Sequence, residues 1–355
     1  MDSKSLFGKK IKREKNALTK KEKSKINEST IITIEDCLCK NSFPYQYSFS
    51  LFKSINSIYY LIYPTFGNSL VIYDIIHNKK INEIKKAHEK SINYLRHQVD
   101  TKNRTDLLLS IDNNSMKIWN INNLTCIHHF KDILNLYSAC FIYNNDEIYI
   151  IFDFRYEKLK VYNLNGEMKN EMNIENNSII SIESFYDIEL NQNYIIIGND
   201  NTDNIISYKY IEDKVYHKYD NFDDSIHTLN IYKDNKKKKV ILMYVTKYCT
   251  ITFWDFHTGV FLQSIPIYIG NDIIYSVCLW NEKFLFVGNA RKDIGNNVYS
   301  IRYVNLIKQE ISDKKEYVLK NIPKTIRKIN HEDDGYLIVH DFSGQITIWK
   351  NFNFN

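Results

Sequence analysis

The stretch Asn114-Ser115-Met116-Lys117-Ile118-Trp119-Asn120-Ile121 decides how the rest of this chain is read. It opens on a small polar turn, alternates apolar and polar residues, reaches an aromatic and ends beside an Asn. Alternation at period two, with β-branched residues, is the pattern of a half-buried strand. The same phrase returns as NSLVIYDI (68–75), EKLKVYNL (157–164), DNIISYKY (203–210), CTITFWDF (249–256), VYSIRYVN (298–305) and GQITIWKN (344–351). The aromatic falls at Tyr73, Trp119, Tyr162, Tyr208, Trp254, Tyr303 and Trp349, at spacings of 46, 43, 46, 46, 49 and 46 residues.

Seven copies at this period predict an all-β, seven-bladed β-propeller with four strands per blade. A twisted four-stranded sheet cannot bury both faces alone. Arranged radially, each sheet packs on two neighbours, and the recurring aromatic is expected to fill the space between adjacent blades.

The second copy then resembles the WD-repeat family. Ala87-His88-Glu89-Lys90-Ser91-Ile92 is similar to that family's Gly-His turn before a first strand, and Leu107–Ile111, Asp112-Asn113-Asn114-Ser115 and Met116–Asn120 follow in family order. The fifth copy carries Trp254-Asp255 and then His257-Thr258-Gly259. The resemblance implies a buried network of Asp, His and Trp, with the Asp six residues before the Trp. That position holds Gly67, Asn113, Tyr156, Thr202, Tyr248, Asn297 and Ser343, so few complete networks are expected.

The seventh copy ends at its third strand, five residues before the last residue of the sequence. Ser29–Glu35 is a strand-like run upstream of the first copy. Residues 29–36 are therefore expected to close the last blade as its outer strand and to cover an open edge. The propeller spans 29–355. Residues 1–28 form a separate, disordered basic tail: ten Lys and Arg against four acids give it +6, while the remainder carries −1 of the total +5. Lys9, Lys10, Lys12 and Arg13 are the tail's candidate electrostatic contacts, with nucleic acid as a possible partner. The ring itself has no overall pull toward polyanions.

Catalytic and cofactor signatures are missing from the sequence. It contains no glycine-rich phosphate loop, no G-x-S-x-G and no H-E-x-x-H. His128 and His129 are adjacent on a strand, so they point to opposite faces and do not share a ligand. The six cysteines (37, 39, 126, 140, 249, 278) have no zinc spacing and are expected to be reduced core thiols. No apolar run approaches the ~20 residues of a membrane helix, and the N-terminus has no apolar leader core. No enzyme activity, metal or cofactor is expected. The expected function is a cytoplasmic protein–protein interaction scaffold, with a nuclear, nucleic-acid-associated propeller as the alternative. Its partners are expected at loops that enter the first strand of each blade, such as those carrying Lys90, Tyr137 and His227.

Overall fold

The computed structural model describes residues 31–34, 49–133, 136, 138–144, 147–154, 158–174, 179–199, 204–220, 226–234, 238–246, 250–266, 273–280, 284–293, 296–305, 310–311, 317–319, 323–331, 334–341 and 343–349. Sheet 1 is Ser50–Lys53, Tyr59–Pro64, Leu70–Asp74 and Lys79–Ile84. Sheet 2 is Tyr94–Asp100, Thr105–Ile111, Met116–Asn120 and Thr125–Phe130. Sheet 3 is Ala139–Asn144, Glu147–Phe154, Lys158–Asn163 and Met168–Asn173. Sheet 4 is Ile179–Asp187, Gln192–Asn199, Asn204–Lys209 and Lys214–Asp220, and sheet 5 is Ile226–Asp234, Lys239–Thr246, Thr250–Asp255 and Val260–Pro266. Sheet 6 is Ile273–Trp280, Phe284–Asp293 and Asn296–Asn305, with both Glu310–Ile311 and Tyr317–Leu319 pairing the third strand. Sheet 7 is Pro323–His331, Asp334–Asp341, Ile346–Trp349 and, as its outer strand, Ile31–Ile34.

The expected ring of uniform four-stranded blades is thus corrected: six sheets have four strands and the sixth in chain order has five. Its outer position is shared by two short segments: Glu310–Ile311 pairs the C-terminal end of the long strand Asn296–Asn305 and Tyr317–Leu319 pairs its middle. The closing strand runs antiparallel to the last, with Ile31 opposite Trp349 and Ile34 opposite Ile346. The tail 1–28, with Lys9, Lys10, Lys12 and Arg13, lies outside the described residues.

Period-two alternation builds the core as wedges between sheets. Leu61 and Tyr63 turn toward sheet 7, while Ile62 between them turns toward sheet 2. Leu107 and Leu109 pack against sheet 3, while Leu108 packs back on sheet 1. A middle strand therefore needs an apolar residue at nearly every position, because neither face meets water. The recurring aromatic fills the wedge toward the preceding sheet: Tyr73 toward sheet 7, Trp119 toward sheet 1, Tyr162 toward sheet 2, Tyr208 toward sheet 3 and Trp254 toward sheet 4. Trp349 is buried in sheet 7, and Tyr303 lies in the third strand of sheet 6, its side chain outside the described residues.

Two local devices repeat with it. The Asp or Asn after the aromatic caps the following turn: Asp74 accepts from the Ile76 and His77 amides, Asn120 from Asn122 and Asn123, and Asn163 from Asn165 and Glu167. Beyond that turn, the outer strand carries a β-bulge opposite the aromatic in sheets 1 to 5. The extra residue is Ile81, Ile127, Lys169, Tyr216 or Leu262. The bulge turns Ile81, Ile127 and Leu262 outward, where they are exposed.

First strands of neighbouring sheets lie side by side and are stitched by hydroxyls. The Tyr94 hydroxyl donates to the Ala139 carbonyl (2.7 Å), Ser138 Oγ accepts from the Ile182 amide (3.0 Å), and Ser276 Oγ accepts from the Ile326 amide (3.1 Å). Arg96 of sheet 2 reaches across sheet 3 to Glu183 of sheet 4 at 2.7 Å.

Few complete buried networks are expected from the sequence, and the described residues include one. It lies in sheet 2. Trp119 Nε1 donates to Ser110 Oγ (2.8 Å), Ser110 Oγ lies 2.6 Å from His88 Nε2, and His88 Nδ1 lies 3.2 Å from Asp112 Oδ2. The Asp stands seven residues before the Trp, one earlier than the position read from the family pattern. Trp254 of the fifth copy has no such partner: its indole Nε1 is buried without a hydrogen bond. The position that Ser110 fills in sheet 2 is Tyr244 in sheet 5, opposite Thr252. The thiols also divide. Cys140 and Cys278 are buried, and burial pushes each up to about 12, but Cys126 is exposed. Cys37, Cys39 and Cys249 lie outside the described residues.

Candidate interaction site

Sheets 1 and 2 enclose a cleft of about 390 Å³ at the end where the first strand of each turns into the second. Its apolar lining comes from Tyr60, Ile72, Ile81, Ile121 and Leu124. Asn56, Asn82, Asn122 and Asn123 supply amides, and Asp106 the one carboxylate. The sequence places them by turn chemistry. Asn122, Asn123 and Leu124 belong to the turn capped by Asn120, and Leu124 takes a left-handed φ of 62° to close it.

Asp106 holds the cleft's base together. Its two oxygens accept the Ile55 amide of sheet 1 at 3.2 and 3.1 Å, and Oδ1 also meets His97 Nε2 at 2.8 Å. The His97 ring stacks on Phe52 of sheet 1, with centroids 3.5 Å apart and planes 5° from parallel. Burial pushes the His97 pKa down, and Asp106 only partly counters this. The carboxylate is therefore fully engaged and serves as a lock between sheets, not as an open acid or base. The amides are different. Asn122 Oδ1 accepts from the Asp106 amide, Asn123 Oδ1 from Thr125, and Asn82 Oδ1 from Glu83, which leaves their NH₂ groups to the cleft.

Of the residues singled out on the strand-entry loops, Lys90 is exposed at the opposite end of sheet 2 and lines a second, smaller pocket. His227 is the extra residue of a bulge between Ile226 and Thr228, its side chain outside the described residues. Tyr137 lies outside the described residues. Lys90 precedes the first strand of sheet 2, whereas His227 lies on the first strand of sheet 5. The cleft went unread because its asparagines look like ordinary turn residues, and only the pairing of two sheets turns them toward one space. Among the described residues, no group of three or more His, Cys, Asp or Glu could hold a metal ion.

This geometry defines a β-propeller, and known structures agree. Crystal structures of BBS1N in complex with ARL6DN, one soaked with mercury and one with lead, match with TM-scores of 0.63 and 0.64. Identity is 10% and 11%, over 91% of this chain and 95% and 96% of theirs. At that identity the likeness is one of fold. No protein-family model matches the chain, and no curated protein does.

Proposed function

We propose that this chain is a non-enzymatic protein-interaction scaffold built on WD-repeat-like blades. In this reading the cleft between sheets 1 and 2 receives an extended segment of a partner protein. The lining of the cleft carries the reading. An extended backbone presents N–H and C=O groups that must be paired. The Asn82, Asn122 and Asn123 amides keep NH₂ donors for a partner's carbonyls, and the cleft's asparagines surround an apolar patch suited to a partner's side chain. Nothing in the lining is a free nucleophile, base or cation cluster. The BBS1N structures, in which a chain of similar fold is in complex with another protein, favour the same class of function. The nucleic-acid alternative rests on the tail alone.

Affinity purification with mass spectrometry, on the full chain and on a chain lacking residues 1–28, tests the reading. Reproducible protein partners retained by both support it. Recovery only of nucleic-acid-bound proteins, lost with the tail, overturns it.

A further inference from the structure

Asn165-Gly166 is the one Asn-Gly pair in the sequence, and it sits in the turn between the third and fourth strands of sheet 3. Packing makes the glycine obligatory. Residue 166 takes a left-handed φ of +83°, and a Cβ there would fall inside the ring of His128, on the outer strand of sheet 2. The contact between sheets 2 and 3 at the rim therefore needs a residue without a side chain. Asn165, just before it, is exposed, and its side-chain amide has no hydrogen-bond partner among the described residues.

That combination is chemically labile. The backbone nitrogen of the residue after an asparagine can reach the side-chain carbonyl carbon and close a five-membered ring, and a Cβ on that residue is the main obstacle to the approach. Here the obstacle is missing. The Gly166 nitrogen bonds to Asn165 Cγ, the bond from Cγ to the side-chain nitrogen breaks, and ammonia leaves with the proton of the Gly166 N–H. Water then opens the succinimide at one carbonyl or the other, which gives aspartate or isoaspartate.

The turn restrains the same step. The Gly166 N–H donates to the Asn163 carbonyl at 3.0 Å, and Asn163 Oδ1 accepts the Asn165 amide at 3.1 Å and the Glu167 amide at 2.9 Å. The attacking nitrogen has to give up its hydrogen bond first, so the reaction waits on opening of the turn.

We infer that Asn165 is a site of spontaneous modification to isoaspartate and aspartate, at a pace set by the turn that Asn163 holds. Isoaspartate lengthens the main chain by one carbon and shifts Gly166 from its seat under His128. Either product adds a carboxylate beside Glu167. The inference stands apart from the scaffold reading and needs no partner.

The test ages the full-length protein in mildly alkaline buffer and follows its peptides by mass spectrometry, with electron-transfer fragmentation to separate isoaspartate from aspartate. Asn123 is the control within the same sample: it is exposed, in the corresponding turn of sheet 2, and is followed by Leu124 at φ 62°. Asn165 should convert roughly tenfold faster than Asn123, mostly because glycine lets the nitrogen approach. Equal rates, or no conversion at Asn165, overturn the site. An Asn163→Ala chain should convert at Asn165 roughly fivefold faster than wild type, through loss of the hydrogen bonds that close the turn. In urea, where neither chain keeps the turn, the two should convert alike. An unchanged rate in the native variant, or a difference that persists in urea, overturns the control by the turn.

Discussion

His97 and Asp106 meet 2.8 Å apart on adjacent strands of sheet 2, and through them sheet 1 is locked to sheet 2. The same carboxylate holds the Ile55 amide, and the same imidazole stacks on Phe52. The junction depends on a neutral histidine. Burial places its folded pKa below the unfolded value near 6.5. Its contribution is then complete above that value and is lost as pH falls through the folded one, because the unfolded chain binds the extra proton. The melting temperature should fall between about pH 7.5 and about pH 5. His97→Gln, which keeps a donor but does not titrate, should flatten part of that slope. An identical slope in the variant contradicts the assignment.

Asp106→Ala removes the acceptor for the Ile55 amide and for His97 together. Unpaired, partly buried donors cost about 1–3 kcal/mol. The urea midpoint should drop accordingly, and a midpoint within error of wild type speaks against a lock here.

Trp119 and Trp254 occupy the same place in their sheets with opposite polar surroundings. Trp119→Phe leaves Ser110 and His88 without the indole donor and should destabilise by about 1–3 kcal/mol. Trp254→Phe deletes a buried N–H that has no partner and should cost about 1 kcal/mol less than the first change. Paired denaturation curves decide, and equal losses contradict the distinction.

Ring closure rests on four residue pairs between Ile31–Ile34 and Ile346–Trp349. Removing residues 29–36 exposes the edge of the last strand and uncovers Ile346 and Ile348, which pack with Ile34 between sheets 7 and 1. The melting temperature should fall sharply. An unchanged one would remove the closing role from this segment.

The repeat itself was legible because it is local. Alternation and an aromatic mark each third strand, and an Asp or Asn follows the aromatic in four of the seven. Even the left-handed turn position is visible, five residues after the aromatic, as Asn78 and Gly259. The same position at Leu124 shows why single residues mislead there: the turn tolerates a leucine because its side chain packs against the wedge between sheets 1 and 2. What could not be read depends on pairing between copies. The network of Asp112 was hidden by a one-residue difference in its turn. Its Ser110 looked like any strand serine until the register set it beside the indole. Two of the hydroxyls that stitch first strands do leave a trace, as the pairs Tyr137-Ser138 and Tyr275-Ser276. The cleft leaves none, since Asn56 and Asn123 meet only across two sheets.

The most direct test of the scaffold account is a quantitative comparison of partners captured by the wild-type chain and by an Ile81→Arg/Asn82→Ala chain. Both positions are exposed on the outer strand of sheet 1, so the ring should fold normally, as its melting curve will show. The account predicts that at least one reproducible partner falls by roughly tenfold or more while others remain. A partner set unchanged in a folded variant would contradict the cleft as the site of binding.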